Sequence, residues 1–117
     1  MIGSRRVMAV ALGVSVLLGS TGIALGATAK VKAKGEKWKP VHTYIGRNDS
    51  VQWTNPTNKV HDLKAYGGGW SFSTILDPGE KAKRKFKQRG TYKFRCVRHS
   101  AIVSGKCQGM CGIVHVT

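Results

Sequence analysis

The chain predicts an all-β domain, an antiparallel β-sandwich or small barrel. Three observations lead there. After Ala29 no segment shows helical apolar periodicity, short runs alternate polar and apolar residues, and turn clusters recur about every ten residues. At 117 residues the chain holds one domain at most. Its 15 glycines and the lack of a heptad pattern exclude a coiled coil. Hydrophobic residues make up 41% of it, which argues against global disorder.

Residues 1–29 stand apart from that domain. Arg5 and Arg6 form a basic start, Val7 to Leu18 is apolar apart from Ser15, and Ala27-Thr28-Ala29 is a small-x-small site. This is the layout of a cleavable signal peptide. A membrane span needs ~20 apolar residues, and here the run breaks at Gly19-Ser20-Thr21-Gly22. Export to a periplasmic, extracellular or cell-surface location is expected. Cleavage after Ala29 leaves residues 30–117, 88 in all, and removal of the two leader arginines turns a net charge of +15 into +13. A domain this small gains from a disulfide or a metal, and disulfides persist outside the cytosol.

The elements follow in order. Lys30 to Ala33 alternates, and Gly35 punctuates it. Val41 to Ile45 is β-branched and aromatic, and Gly46-Arg47-Asn48-Asp49 is a turn cluster. Ser50 to Thr54 alternates again before Asn55-Pro56-Thr57-Asn58 stops it. Val60 to Tyr66 is a strand ended by Gly67-Gly68-Gly69, and Phe72 to Leu76 leads into Asp77-Pro78-Gly79. Lys81 to Phe86 precedes Gln88-Arg89-Gly90. Thr91 to Cys96 then puts Tyr92, Phe94 and Cys96 on one face. Gly112 to Val116 is the last strand, with Val114 and Val116 on one face. Trp38, Trp53 and Phe94 are candidates for the core or its rim, and Trp70 and Phe72 are core or part of a surface patch. His42 has no partner pattern and belongs on a solvent face.

Chemistry concentrates late in the chain. Cys96-Val97-Arg98-His99 lies just beyond a strand, Met110 follows in Gly109-Met110-Cys111-Gly112, and His61 lies upstream of both. One thiolate, two imidazoles and a thioether match a mononuclear blue-copper site, with His61, Cys96 and His99 in a plane and Met110 axial. Soft sulfur ligands suit Cu(I), and imidazole serves both oxidation states. Cys96 would end one strand, His99 would sit on the following loop, and Met110 would close it. His61 would come from a strand of the other sheet.

The residues from about Val31 onward resemble a cupredoxin of the plastocyanin and pseudoazurin type. The likeness rests on Trp53-Thr54-Asn55 followed by His61, on Leu76-Asp77-Pro78-Gly79, on Gly90 to His99, and on Gly109 to Val116. It implies a Greek-key β-sandwich, one type 1 copper held by His61, Cys96, His99 and Met110, and one-electron transfer. His99 would reach the surface as the electron port. Three departures stand out. Ten residues separate His99 from Met110, which enlarges the ligand loop. Asp62 stands where the family often has Asn or Ser to brace that loop. A carboxylate there favours Cu(II) and lowers the reduction potential. Finally, Cys107 and Cys111 flank Met110, and beside the resemblance they imply a Cys107–Cys111 disulfide that leaves Cys96 as the thiolate.

Two rival readings use the same cysteines. Cys96 paired with Cys107 or Cys111 would leave no copper ligand. Alternatively, Cys107, Cys111 and His115 resemble part of a binuclear copper A motif. Against it, His115 alternates with Val114 and Val116 and should face outward.

The charge points to acidic partners. Lys81, Lys83, Arg84, Lys85, Lys87 and Arg89 would steer an acidic redox protein that donates or accepts the electron, or would simply form a solvated face. An anionic membrane or cell surface is a second class of partner. Nucleic acid is not expected, because no basic stretch is interleaved with aromatic readers. Five acidic residues offer no paired-carboxylate site and no nucleophile motif appears, so an enzyme is not expected. A copper carrier that delivers metal would use the same four ligands. The expected state is a monomer.

Overall fold

The computed structural model describes residues 26–117. Most of the expected signal peptide therefore lies outside the described residues. Nine strands and no helix occur among them. They are β1 (Thr28–Lys34), β2 (Lys37–Lys39), β3 (His42–Ile45), β4 (Ser50–Thr54), β5 (His61–Tyr66), β6 (Ser73–Leu76), β7 (Lys81–Lys85), β8 (Gly90–Val103) and β9 (Lys106–Val116). β1 begins inside the expected leader: Thr28 and Ala29 pair with Ser50 and Val51, and the Ala27 amide donates to Asp49 Oδ1.

Two sheets form the sandwich, in the orders β2-β1-β4-β7 and β3-β9-β8-β5-β6. Both are mixed rather than purely antiparallel, because β1 runs parallel to β4 and β3 parallel to β9. Alternation drives the layering. Val31 and Ala33 on β1, Val51 and Trp53 on β4, Leu63 on β5 and Phe94 on β8 all point inward and are buried. Trp53 and Trp38 meet the Phe94 ring edge-on, with centroids 5.3 and 6.0 Å away. Such edge-to-face packing adds to area burial. Phe94 also sits in register with Gly112 on β9, where any Cβ would lie 2.2 Å from the ring. Trp70 and Phe72 pack half-buried against this core.

The expected ligand loop is the main correction. The chain from Ser100 to Gln108 is no loop: β8 and β9 continue past Cys96 as a hairpin arm, after a register shift between Arg95 and Ser100. Ser104 and Gly105 close the arm with φ of 50° and 76°. Two consecutive positive φ angles are the hallmark of the tight two-residue turn that matches strand twist.

Candidate metal centre

The site forms where the β8–β9 ladder is interrupted. Cys96 to His99 fill the shifted stretch of β8, and Met110 lies across from it between Gly109, paired with Ser100, and Cys111, paired with Arg95. His61 opens β5 in the same sheet as β8, not in the opposite sheet as the sequence suggested. The strand order explains the difference: β5 is the direct neighbour of β8, so His61 needs no cross-sandwich reach.

Three donor atoms converge. His61 Nδ1 lies 3.1 Å from His99 Nδ1, and Cys96 Sγ lies 3.5 Å from His99 Nδ1 and 3.8 Å from His61 Nδ1. A point equidistant from the three is about 2.0 Å from each, the length of a metal–imidazole bond. His61, Cys96 and Met110 are fully buried, while the His99 side chain is 18% exposed.

Neighbouring groups fix each donor. Asn55 is buried, and its amide donates to the Leu76 and Lys59 carbonyls, so its Oδ1 faces Thr57. The Thr57 hydroxyl donates to that oxygen at 2.6 Å. Thr57 Oγ1 is then left to accept from His61 Nε2 at 3.1 Å. The proton on Nε2 leaves the Nδ1 lone pair free to ligate. Burial, and next the neighbouring His99, push the His61 imidazole below its ordinary range, which favours the neutral, ligating form.

Asp62 braces the thiol. Its backbone amide donates to Cys96 Sγ at 3.2 Å, and its carboxylate accepts from the Val97 amide and faces Arg98 Nε at 3.7 Å. Burial pushes the Cys96 thiol up, partly offset by that amide. A bound cation would reverse this, since metal coordination deprotonates a thiol outright.

Gly109 shapes the Met110 side. It adopts φ of 101°, and a Cβ there would lie 2.4 Å from the His99 carbonyl oxygen. The bend brings Cys107 and Cys111 to a Cα separation of 6.1 Å, and they form a disulfide. Extended strand would hold residues four apart at roughly twice that distance. Cys96 remains a free, buried thiol. Both rival uses of the cysteines fall with this. Cys96 is in no crosslink, and Cys107 and Cys111 hold each other rather than two metal ions. His115 faces outward, between buried Val114 and Val116.

One neighbour was missed from sequence. Glu36, exposed in the turn after β1, lies 3.6 Å from His99 Nε2 and 2.8 Å from Lys59 Nζ. The Lys59 ammonium holds its carboxyl below the usual range. A lone acid in a distant turn carries no local signal of this contact.

The basic cluster lies elsewhere. Lys81, Lys83 and Lys85 alternate outward along β7, an edge strand, from Thr54 at the site end to Ser50 at the far end. Charged edge residues also prevent strand addition. Arg84 turns back instead: its guanidinium covers the Trp70 and Phe72 rings at 5.6 and 5.5 Å and donates to the Ser71 carbonyl. Lys87 and Arg89 are exposed beyond the strand.

No protein-family model and no curated protein matches the sequence. Solved structures do match. A purple cupredoxin from Nitrosopumilus maritimus superposes with a TM-score of 0.60 at 18% identity, over 76% of this chain and 99% of that one. A reduced amicyanin variant reaches 0.65 at 21% identity, over 81% and 86%. The chain has a cupredoxin fold. A copper-containing nitrite reductase from Thermus scotoductus also contains this fold, with a TM-score of 0.64 at 23% identity, over 87% of this chain and 25% of that longer protein. Within the cupredoxin sandwich described here, His61, Cys96 and His99, with Met110 buried opposite, are arranged as a type 1 copper site.

Proposed function

We propose that this chain is an exported type 1 copper protein that carries single electrons between redox partners. His61, Cys96 and His99 would be the strong ligands and Met110 the weak one. The observation that carries the reading is the three-donor triangle whose centre suits a small cation. Bound copper would supply the one-electron couple, cycling between Cu(II) and Cu(I). The protein's part is to hold the donors still. Thr57 and Asn55 fix the His61 ring, the Asp62 amide and carboxylate fix Cys96 and Val97, and the Cys107–Cys111 disulfide pins the segment around Met110.

Access supports a carrier over an enzyme. Three of the four groups are fully buried, so a substrate has no route to them, whereas an electron can pass through the partly exposed His99 edge. Metal delivery would require those buried ligands to open. The leader-like residues 1–29 and the disulfide support export. The positive charge supports an acidic redox partner, drawn in by Lys81, Lys83, Lys85, Lys87 and Arg89, with an association that weakens steeply in salt.

Visible absorption of the chain with one equivalent of Cu(II) tests the reading. An intense thiolate-to-copper band is expected, lost in Cys96→Ser and kept in the Cys107→Ser/Cys111→Ser double variant. A colourless complex, or a band that survives Cys96→Ser, refutes it. Fast electron exchange with no copper transfer to an apo acceptor separates electron carriage from delivery.

A further inference from the structure

We propose a second metal site, on the outer face of the five-stranded sheet, in which His42 and His115 together take one Cu(II) ion, or Ni(II), from solution. It is independent of the His61–Cys96–His99 centre and faces away from it. β3 and β9 run parallel with His42 opposite Ile113 and Tyr44 opposite His115. Because Val114 and Val116 point into the core, His115 points out, and His42 is exposed beside it. The sequence showed no partner for His42, because the two histidines are 73 positions apart.

The two rings bring one nitrogen each together. His42 Nδ1 lies 3.0 Å from His115 Nε2. Without a metal this is one N–H···N hydrogen bond. With metal–imidazole bonds of about 2.0–2.1 Å, two nitrogens at that spacing subtend nearly a right angle at the ion. A right angle is the angle between adjacent ligands in a tetragonal site, and it is tighter than the tetrahedral angle Zn²⁺ prefers. Imidazole donors in tetragonal geometry select Cu(II) and Ni(II), with Cu(II) the tighter. Water would fill the remaining positions, since the described residues hold no third His, Cys, Asp or Glu in ligating reach of this pair.

The pair is also ordered in advance. The Tyr44 ring stacks on His115 with centroids 4.5 Å apart and planes 9° from parallel, and the His42 ring lies 5.2 Å from His115 at 18°. The backbone holds the strands together on both sides, through the Ile113 amide to the Val41 carbonyl and the Thr117 amide to the Ile45 carbonyl. Side chains already confined lose little rotamer freedom on binding, which leaves more of the coordination energy as affinity.

The test is cupric ion alone, added in increasing equivalents to the full chain, with bound copper counted by dialysis and its geometry read by electron paramagnetic resonance. The wild type should bind one tetragonal Cu(II), with nitrogen hyperfine structure, that is absent from His42→Ala and from His115→Ala. His42 is exposed and His115 only half-buried, outside the core, so these variants should fold with a Tm close to the wild type. The same signal should persist in Cys96→Ser, which separates it from the buried centre. Equal copper stoichiometry in wild type and either histidine variant overturns the proposal. So does loss of the tetragonal signal in Cys96→Ser.

Discussion

β8 and β9 pair with each other over most of their length, yet the two halves of that ladder are held by different physics. From Gly90 to Arg95 the pair belongs to the sandwich: Phe94 and Val114 are wholly buried, and the outward residues lie over a packed layer. From Ser100 to Gln108 the same ladder leaves the sandwich, and most of its residues are exposed, Ile102 and Val103 to 43% and 46%. The lower half is held by apolar burial, the upper by backbone pairing, a tight turn and one disulfide. The candidate copper ligands lie at the junction, where the ladder breaks register. A site there inherits rigidity from below, and the arm closes it from above.

The largest expected effect probes the lower half. Phe94→Ala removes the ring that meets both Trp53 and Trp38 and leaves an empty space over Gly112. A loss of about 3–5 kcal/mol in denaturant unfolding is expected, as for other buried aromatics. A loss under about 1 kcal/mol would mean the core can collapse into the gap, and the contrast between the halves would fail.

How much of this was legible follows the same division. β4 was read at its observed bounds, because Ser50 to Thr54 alternates against a two-sided neighbourhood and burial enforces the period. Trp38, Trp53 and Phe94 were core as expected. His61, Cys96 and His99 do converge, because β5, which His61 opens, lies beside the register-shifted stretch of β8 that carries Cys96 and His99. The arm was missed, although Ala101-Ile102-Val103 before Ser104-Gly105 is a hairpin signal. Likeness to proteins with a short ligand loop outweighed that local pattern. β2 was missed because three residues carry too little alternation. The sheet assignment of His61, the Glu36 contact and the His42–His115 pair depend on strand order, which no local pattern encodes.

A smaller effect is expected at the junction itself. Gly109→Ala places a methyl against the His99 carbonyl and asks an alanine to hold φ of 101°. The cost should be about 1–3 kcal/mol, as for other strained backbone positions. Its diagnostic feature is where the strain falls. Relief must move His99 or the bend beside Met110, so the visible spectrum of the copper form should shift along with stability. A stability loss with an unchanged spectrum would show that the arm and the ligands are mechanically separate.

The smallest effect is expected at the tip of the arm. Ile102→Thr and Val103→Thr keep β-branched side chains suited to a strand, and they replace apolar groups that are already nearly half in water. Each should change stability by less than about 0.5 kcal/mol, as surface substitutions do. The copper spectrum should stay unchanged, since neither residue is a candidate ligand and Ile102→Thr keeps the backbone pairing with Cys107 that carries the bridge. Electron exchange with a redox partner is the measurement that gives this pair of variants its use. The arm rises from the same end of the sandwich as the exposed edge of His99. Slower exchange with stability and spectrum both unchanged would make Ile102 and Val103 part of the docking face. If exchange is also unchanged, the arm serves only to close the ligand set, and the upper half of the ladder is a strap rather than a contact surface.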